Sequence, residues 1–114
     1  MSEFFDIGAA EDVPRLGARK VRTPGGDIAV FRTAGDRYFA LDDRCPHKGG
    51  PLSQGIVFDR GVACPLHNWL IGFGDGCAAA PDRGCTPAIP VRVTAGMVQL
   101  DLARIPRQDT APVQ

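Results

Sequence analysis

Two short blocks of the sequence each bring one cysteine and one histidine together. The first block is Cys45-Pro-His47 and the second is Cys64-Pro-Leu-His67, with sixteen residues between His47 and Cys64. The chain contains two histidines in all, and both lie in these blocks. Thiolates and imidazoles are common ligands of transition metals. The spacing therefore predicts one metal centre held by Cys45, His47, Cys64 and His67.

Two kinds of metal centre use two cysteines and two histidines. In a [2Fe-2S] cluster of mixed ligation, two thiolates hold one iron and two imidazoles hold the other. A structural zinc site accepts the same four side chains in a tetrahedron. Zinc fingers, however, usually pair cysteine with cysteine and histidine with histidine, whereas each block here mixes the two. The order therefore favours the iron–sulfur cluster over zinc.

Composition excludes several other functions. A mononuclear iron site for oxygen chemistry needs two further histidines and a carboxylate, and no further histidine exists. No Gly-x-Gly-x-x-Gly segment suggests a dinucleotide site. Thirteen basic and thirteen acidic residues cancel, so there is no net charge to attract nucleic acid or anionic lipid. We expect a carrier of single electrons that leaves substrate chemistry to a partner protein and binds no nucleic acid.

The N-terminal residues have neither the basic start nor the apolar run of a secretory signal. No stretch approaches the roughly 20 apolar residues of a membrane-spanning helix. We therefore expect a cytoplasmic protein without membrane association. Cys77 and Cys85 are eight residues apart, so a disulfide between them is conceivable. Because the cytoplasm is reducing, we predict that both remain thiols.

Short apolar runs alternate with turn signals along the chain, which is typical of an all-β protein. Strands are predicted at 27–32, 38–41, 55–58, 62–64, 69–73, 89–93 and 97–102. Helix is limited to a turn around residues 9–16.

One domain is expected over residues 1–104. Its base is predicted to be an antiparallel β-sandwich or barrel made from both ends of the chain. A cluster-binding lobe is inserted at about residues 43–83, where the two Cys/His blocks lie. Residues 105–114 have no apolar period and are predicted to form a flexible C-terminal tail.

These motifs resemble the Rieske-type iron–sulfur domains, and within them the small subunit of assimilatory NAD(P)H-dependent nitrite reductase. The likeness is strongest in Cys45–Val57 and Cys64–Trp69, continues in Pro81–Cys85 and Pro90–Val93, and extends more weakly over 4–102.

The resemblance implies a [2Fe-2S] cluster with defined roles for its ligands. Cys45 and Cys64 would hold the buried iron, and His47 and His67 would hold the outer iron that changes oxidation state. It also implies a large-subunit partner with flavin and sirohaem, which reduces nitrite to ammonium in nitrate assimilation.

The chain departs from the respiratory Rieske proteins. Those proteins have an additional cysteine in each loop, joined as a disulfide, where Gly50 and Leu66 stand here. Trp69 takes the place of a serine that hydrogen-bonds to the cluster. Fewer hydrogen bonds favour the oxidised form, so we expect a reduction potential toward the low end of the range of about −150 to +300 mV.

Two alternatives to the nitrite reductase subunit stay open. A free-standing Rieske ferredoxin, which delivers electrons to a ring-hydroxylating oxygenase, uses the same four ligands. Such ferredoxins usually have a more acidic surface, so the balanced charge favours the nitrite reductase subunit. The alternative of another class is a structural subunit without a redox role.

Overall fold

The computed structural model describes residues 4–23, 26–45, 50–65, 68–79 and 84–101. They form ten strands: β1 (Phe4–Ala9), β2 (Gly17–Thr23), β3 (Gly26–Arg32), β4 (Tyr38–Asp42), β5 (Ile56–Val57), β6 (Gly61–Ala63), β7 (Leu70–Gly72), β8 (Ala88–Ile89), β9 (Val91–Thr94) and β10 (Met97–Asp101). Two single-turn 3₁₀ helices, Ala10–Asp12 and Leu52–Gln54, are the helical elements of these residues. The all-β prediction is confirmed.

The strands form three antiparallel sheets. Their strand orders are β1-β10-β9, β2-β3-β4-β8 and β5-β6-β7. Because β1 pairs with β10, the first sheet joins the two ends of the chain, as expected for the base. The third sheet lies within the span predicted for the cluster-binding lobe. The bounds of that lobe and of the domain stay predictions, and the predicted tail 105–114 lies outside the described residues.

Strand β3 organises the core because it is buried on both faces. The four consecutive residues from Ile28 to Phe31 have no exposed surface. Side chains alternate across a strand, so Ile28 and Val30 pack with Val98 of β10, whereas Ala29 and Phe31 pack toward the third sheet. The four-stranded sheet is therefore the middle of three layers.

Besides β1, which the prediction does not include, two features of the strand prediction differ from the structure. The segment predicted as one strand, 89–93, is divided at Pro90 into β8 and β9, which belong to different sheets. Proline has no N–H to donate to a ladder, so it suits the point where the chain changes sheets. Strand β2 was not predicted, because charged residues interrupt its apolar alternation. Its pairing with β3 is continuous from Gly17 to Thr23.

Replacing Phe31 by alanine tests the central layer. The Phe31 ring is fully buried and lies 5.0 Å from the Phe73 ring, so Phe31→Ala should lower the melting temperature by more than about 10 °C. Phe58 is 48% exposed, and Phe58→Ala should lower it by less than about 5 °C. Thermal melts followed by far-ultraviolet circular dichroism make the comparison. Equal melting temperatures would contradict the position of Phe31.

Candidate metal centre

The two cysteines of the predicted ligand set lie at the ends of strands and in one core. Cys45 comes three residues after β4, and Cys64 comes directly after β6. They are 1% and 0% exposed and belong to the same apolar cluster as Leu52, Val62 and Ile71. Neither is joined in a disulfide. His47 and His67 lie outside the described residues, so the four-residue ligand set stays a prediction.

Backbone hydrogen bonds close both loops. In the first loop, the Cys45 N–H donates to the Gly50 carbonyl at 2.8 Å. In the second, the Cys64 N–H donates to the Trp69 carbonyl at 2.7 Å, and the Asn68 N–H donates to the Cys64 carbonyl at 3.1 Å. Asn68 has a φ of 56°, a left-handed conformation that asparagine adopts more readily than most residues. Each cysteine is thus fixed by the turn that it begins.

Trp69 is partly buried and packs against the apolar cluster that contains both cysteines. This position agrees with a side chain that shields the centre from water. One contact that the structure shows is apolar packing. Leu52, which follows the first loop, has no exposed surface and belongs to this cluster. The Trp69 side chain packs against the cluster from the second loop.

Asp43 is a site residue that sequence reasoning missed. Its carboxylate is 1% exposed and lies 3.5 Å from the Lys20 ammonium. It accepts hydrogen bonds from the Ser53 N–H at 2.7 Å and the Ser53 hydroxyl at 2.9 Å. The contact joins the chain just before Cys45 to the 3₁₀ helix that follows the first loop. The only sequence signal is an acidic residue two positions before a predicted ligand.

The donor set fits a [2Fe-2S] cluster. Two thiol groups from separate loops converge on one apolar core, and each cysteine is followed within three residues by a histidine. Cys45 and Cys64 would hold one iron, and His47 and His67 would hold the other. The amides of both cysteines donate to backbone carbonyls of their own loops.

The prediction that Cys77 and Cys85 are thiols is wrong in this structure, where they form a disulfide with an S–S distance of 2.09 Å. The two residues face each other across an isolated antiparallel bridge. The Ala78 N–H donates to the Gly84 carbonyl at 2.8 Å, and the Thr86 N–H donates to the Gly76 carbonyl at 2.7 Å. Sequence spacing alone could not reveal this pairing, because it depends on how the chain turns between the two cysteines.

Three antiparallel sheets and two buried free cysteines, each beginning a Cys/His block, agree with a small iron–sulfur protein. The sequence model of the Rieske [2Fe-2S] domain matches residues 3–93. The chain therefore belongs to the Rieske [2Fe-2S] domain family, and its cofactor is a Rieske-type [2Fe-2S] cluster.

Two relatives match almost from end to end. The chain is 46% identical over 106 residues to the 3-phenylpropionate/cinnamic acid dioxygenase ferredoxin subunit of Photorhabdus laumondii, covering 90% of this chain and 97% of the relative. It is 36% identical over 109 residues to the anthranilate 1,2-dioxygenase ferredoxin subunit of Burkholderia cepacia, covering 90% and 94%. By contrast, the chain spans 15% of the length of 4beta-methylsterol monooxygenase of Methylococcus capsulatus, with 46% identity over 59 residues.

Solved structures add two neighbours with the same fold. One is assigned as an NADH-dependent nitrite reductase small subunit of Mycobacterium tuberculosis, with a TM-score of 0.79, 25% identity, and coverage of 88% of this chain and 95% of the other. A chain from the oxygenase–ferredoxin complex of carbazole 1,9a-dioxygenase has a TM-score of 0.77 and 26% identity, covering 89% and 94%. In the part of this chain that the structure describes, no helix has the length and apolarity to cross a membrane.

Asp43→Ala tests whether the buried carboxylate stabilises the first loop. It leaves both Ser53 donors without their acceptor, so unfolding should become easier by about 2–3 kcal/mol. The cluster should also bleach faster in the presence of an iron chelator. Asp27→Ala is the control, because Asp27 is 44% exposed and its backbone carbonyl still accepts from the Asp43 N–H. If the two variants lose the cluster at the same rate, the role of Asp43 is contradicted.

Proposed function

We propose that this chain is a Rieske ferredoxin, which receives single electrons from a flavoprotein reductase and delivers them to a ring-hydroxylating oxygenase in the cytoplasm. The observation that supports this proposal best is the near full-length match to the ferredoxin subunit of Photorhabdus laumondii, over 97% of that relative. The match to the anthranilate dioxygenase ferredoxin subunit adds a second relative of similar length. These two near full-length matches outweigh the balanced charge of the sequence, which favoured the nitrite reductase subunit.

The residues of the chain prepare the centre for electron transfer. Cys45 and Cys64 lie in an apolar core that would keep water away from the iron they hold. When bound, the cluster takes up and releases one electron at a time. His47 and His67 complete the proposed ligand set, and their imidazoles would carry any proton that accompanies the electron. Asp43 and Ser53 hold the two ends of the first loop together.

The second candidate is the small subunit of NAD(P)H-dependent nitrite reductase, with a large subunit that contains flavin and sirohaem. The structural neighbour from Mycobacterium tuberculosis, with a TM-score of 0.79, supports it, together with the likeness of the Cys45–Val57 and Cys64–Trp69 segments. Both candidates use the same ligands for the same one-electron chemistry. They differ in the protein that receives the electron.

Ligand replacement tests the metal centre. The anaerobically purified chain should contain about two irons and two sulfides and, after dithionite reduction, give a rhombic electron paramagnetic resonance signal. Cys45→Ser and His67→Ala should each lower bound iron by at least about tenfold and remove this signal. The double variant Cys77→Ser with Cys85→Ser is the matched control, since it replaces cysteines outside the ligand set and should retain the signal. A wild-type signal in either ligand variant would contradict the assignment.

Electron delivery distinguishes the two candidates. With NADH and the flavoprotein reductase of the Photorhabdus laumondii dioxygenase system, the visible spectrum of this chain should change to that of the reduced cluster. The oxygenase component with its aromatic substrate should then re-oxidise it. A nitrite reductase large subunit that contains flavin and sirohaem should not re-oxidise the reduced chain when nitrite is added. Re-oxidation by the second mixture alone would replace the ferredoxin by the nitrite reductase subunit.

A further inference from the structure

The disulfide between Cys77 and Cys85 is more exposed to solvent than the two cysteines of the predicted metal centre. Cys85 is exposed and Cys77 is partly buried, whereas Cys45 and Cys64 are buried in the core. A disulfide with one of its residues at the surface is more open to attack by an external thiolate than one within the core. The proposal below concerns this pair and does not depend on which protein receives the electron.

The disulfide connects two layers of the fold. On one side, the Gly72 N–H donates to the Cys77 carbonyl at 3.0 Å, and the Ala79 N–H donates to the Leu70 carbonyl at 2.8 Å. These bonds add the Cys77 segment to β7, the strand that follows the second cluster loop. On the other side, the chain continues from Cys85 to Pro87, whose carbonyl accepts from the Asp42 N–H of β4 at 2.9 Å.

The backbone holds the two cysteines together independently of the sulfur–sulfur bond. The hydrogen bonds of Ala78 and Thr86 flank the pair on both sides. Gly76 has a φ of 71°, and a side chain there would meet the Thr86 carbonyl oxygen at 2.0 Å. This close approach of the two segments keeps Cys77 and Cys85 adjacent. Broken and formed states of the bond are therefore both compatible with the fold.

We propose that Cys77 and Cys85 form a reversible thiol–disulfide pair that exchanges with a dithiol reductant. A thiolate of the reductant attacks the sulfur of Cys85, the more exposed residue of the pair, the bond to Cys77 breaks, and Cys77 leaves as a thiolate that takes up a proton. The second thiolate of the reductant then releases Cys85, which is protonated in turn. Two electrons pass to the pair, and the reductant ends as a disulfide.

The surroundings of Cys77 suit the reduced state. Its sulfur lies 3.5 Å from the Asp75 carbonyl oxygen, which can accept a hydrogen bond from the thiol once the disulfide is open. Because the cluster transfers one electron at a time, the dithiol and not the cluster supplies the electron pair. Reduction removes the covalent link between the β7 side and the β4 side, and leaves the hydrogen bonds of Ala78 and Thr86 to hold the segments.

The test uses the cluster-loaded chain in anaerobic buffers with increasing ratios of reduced to oxidised dithiothreitol. Thiols are trapped with a maleimide and located by mass spectrometry of peptides. Cys77 and Cys85 should become labelled together as the buffer becomes reducing, and should lose reactivity again in oxidised dithiothreitol. The iron and sulfide content of the chain should stay unchanged. Amide hydrogen exchange at Ala78 and Thr86 should be about tenfold faster in the reduced state.

The double variant Cys77→Ser with Cys85→Ser serves as the permanently open form. It should keep the cluster and show the fast amide exchange of the reduced chain in every buffer. Three results would overturn the proposal. They are an absence of labelling until the cluster is lost, labelling of both cysteines even in oxidised dithiothreitol, and failure of the double variant to fold, which would make the bond a permanent requirement of the structure.

Discussion

The burial of β3 on both faces is the interaction on which the other elements depend. Its four central residues, Ile28 to Phe31, have no exposed surface, so the strand needs an apolar layer on each side. The sheet formed by the chain termini covers one side, and the sheet β5-β6-β7 covers the other. Burial of this run supplies much of the hydrophobic stabilisation and sets the distance between the layers.

The two cysteines of the predicted ligand set lie between the middle sheet and the sheet β5-β6-β7. Cys45 and Cys64 are members of the apolar cluster between the middle sheet and β5-β6-β7. The loops that carry them begin within three residues of strand ends, and Asp43 ties the first loop to Ser53. Ligand positions built on strand ends are more precise than positions within long loops. The order needed for a metal centre thus follows from the packing of the sheets.

Much of this arrangement follows from local sequence signals. The apolar run at 27–32 and the alternation at 97–102 predicted β3 and β10, and the Cys/His blocks predicted the family and its cofactor. Strand β2 could not be predicted, because charged residues such as Lys20, which forms an ion pair with Asp43, interrupt the apolar alternation. Its residues form a strand through their pairing with β3. The Asp43–Ser53 contact and the Cys77–Cys85 bond also required the fold, because both depend on how intervening residues turn.

Pro90 connects two strands that belong to different layers of the fold. Ile89 pairs with Ala40 in the middle sheet, and Val91 pairs with Leu100 in the terminal sheet. One residue thus separates two ladders in different layers, so the layers cannot slide past each other without breaking a ladder. Shear between packed layers is a common way for proteins to adapt their shape. Pro90 therefore couples the two layers, so that the terminal sheet and the middle sheet move together.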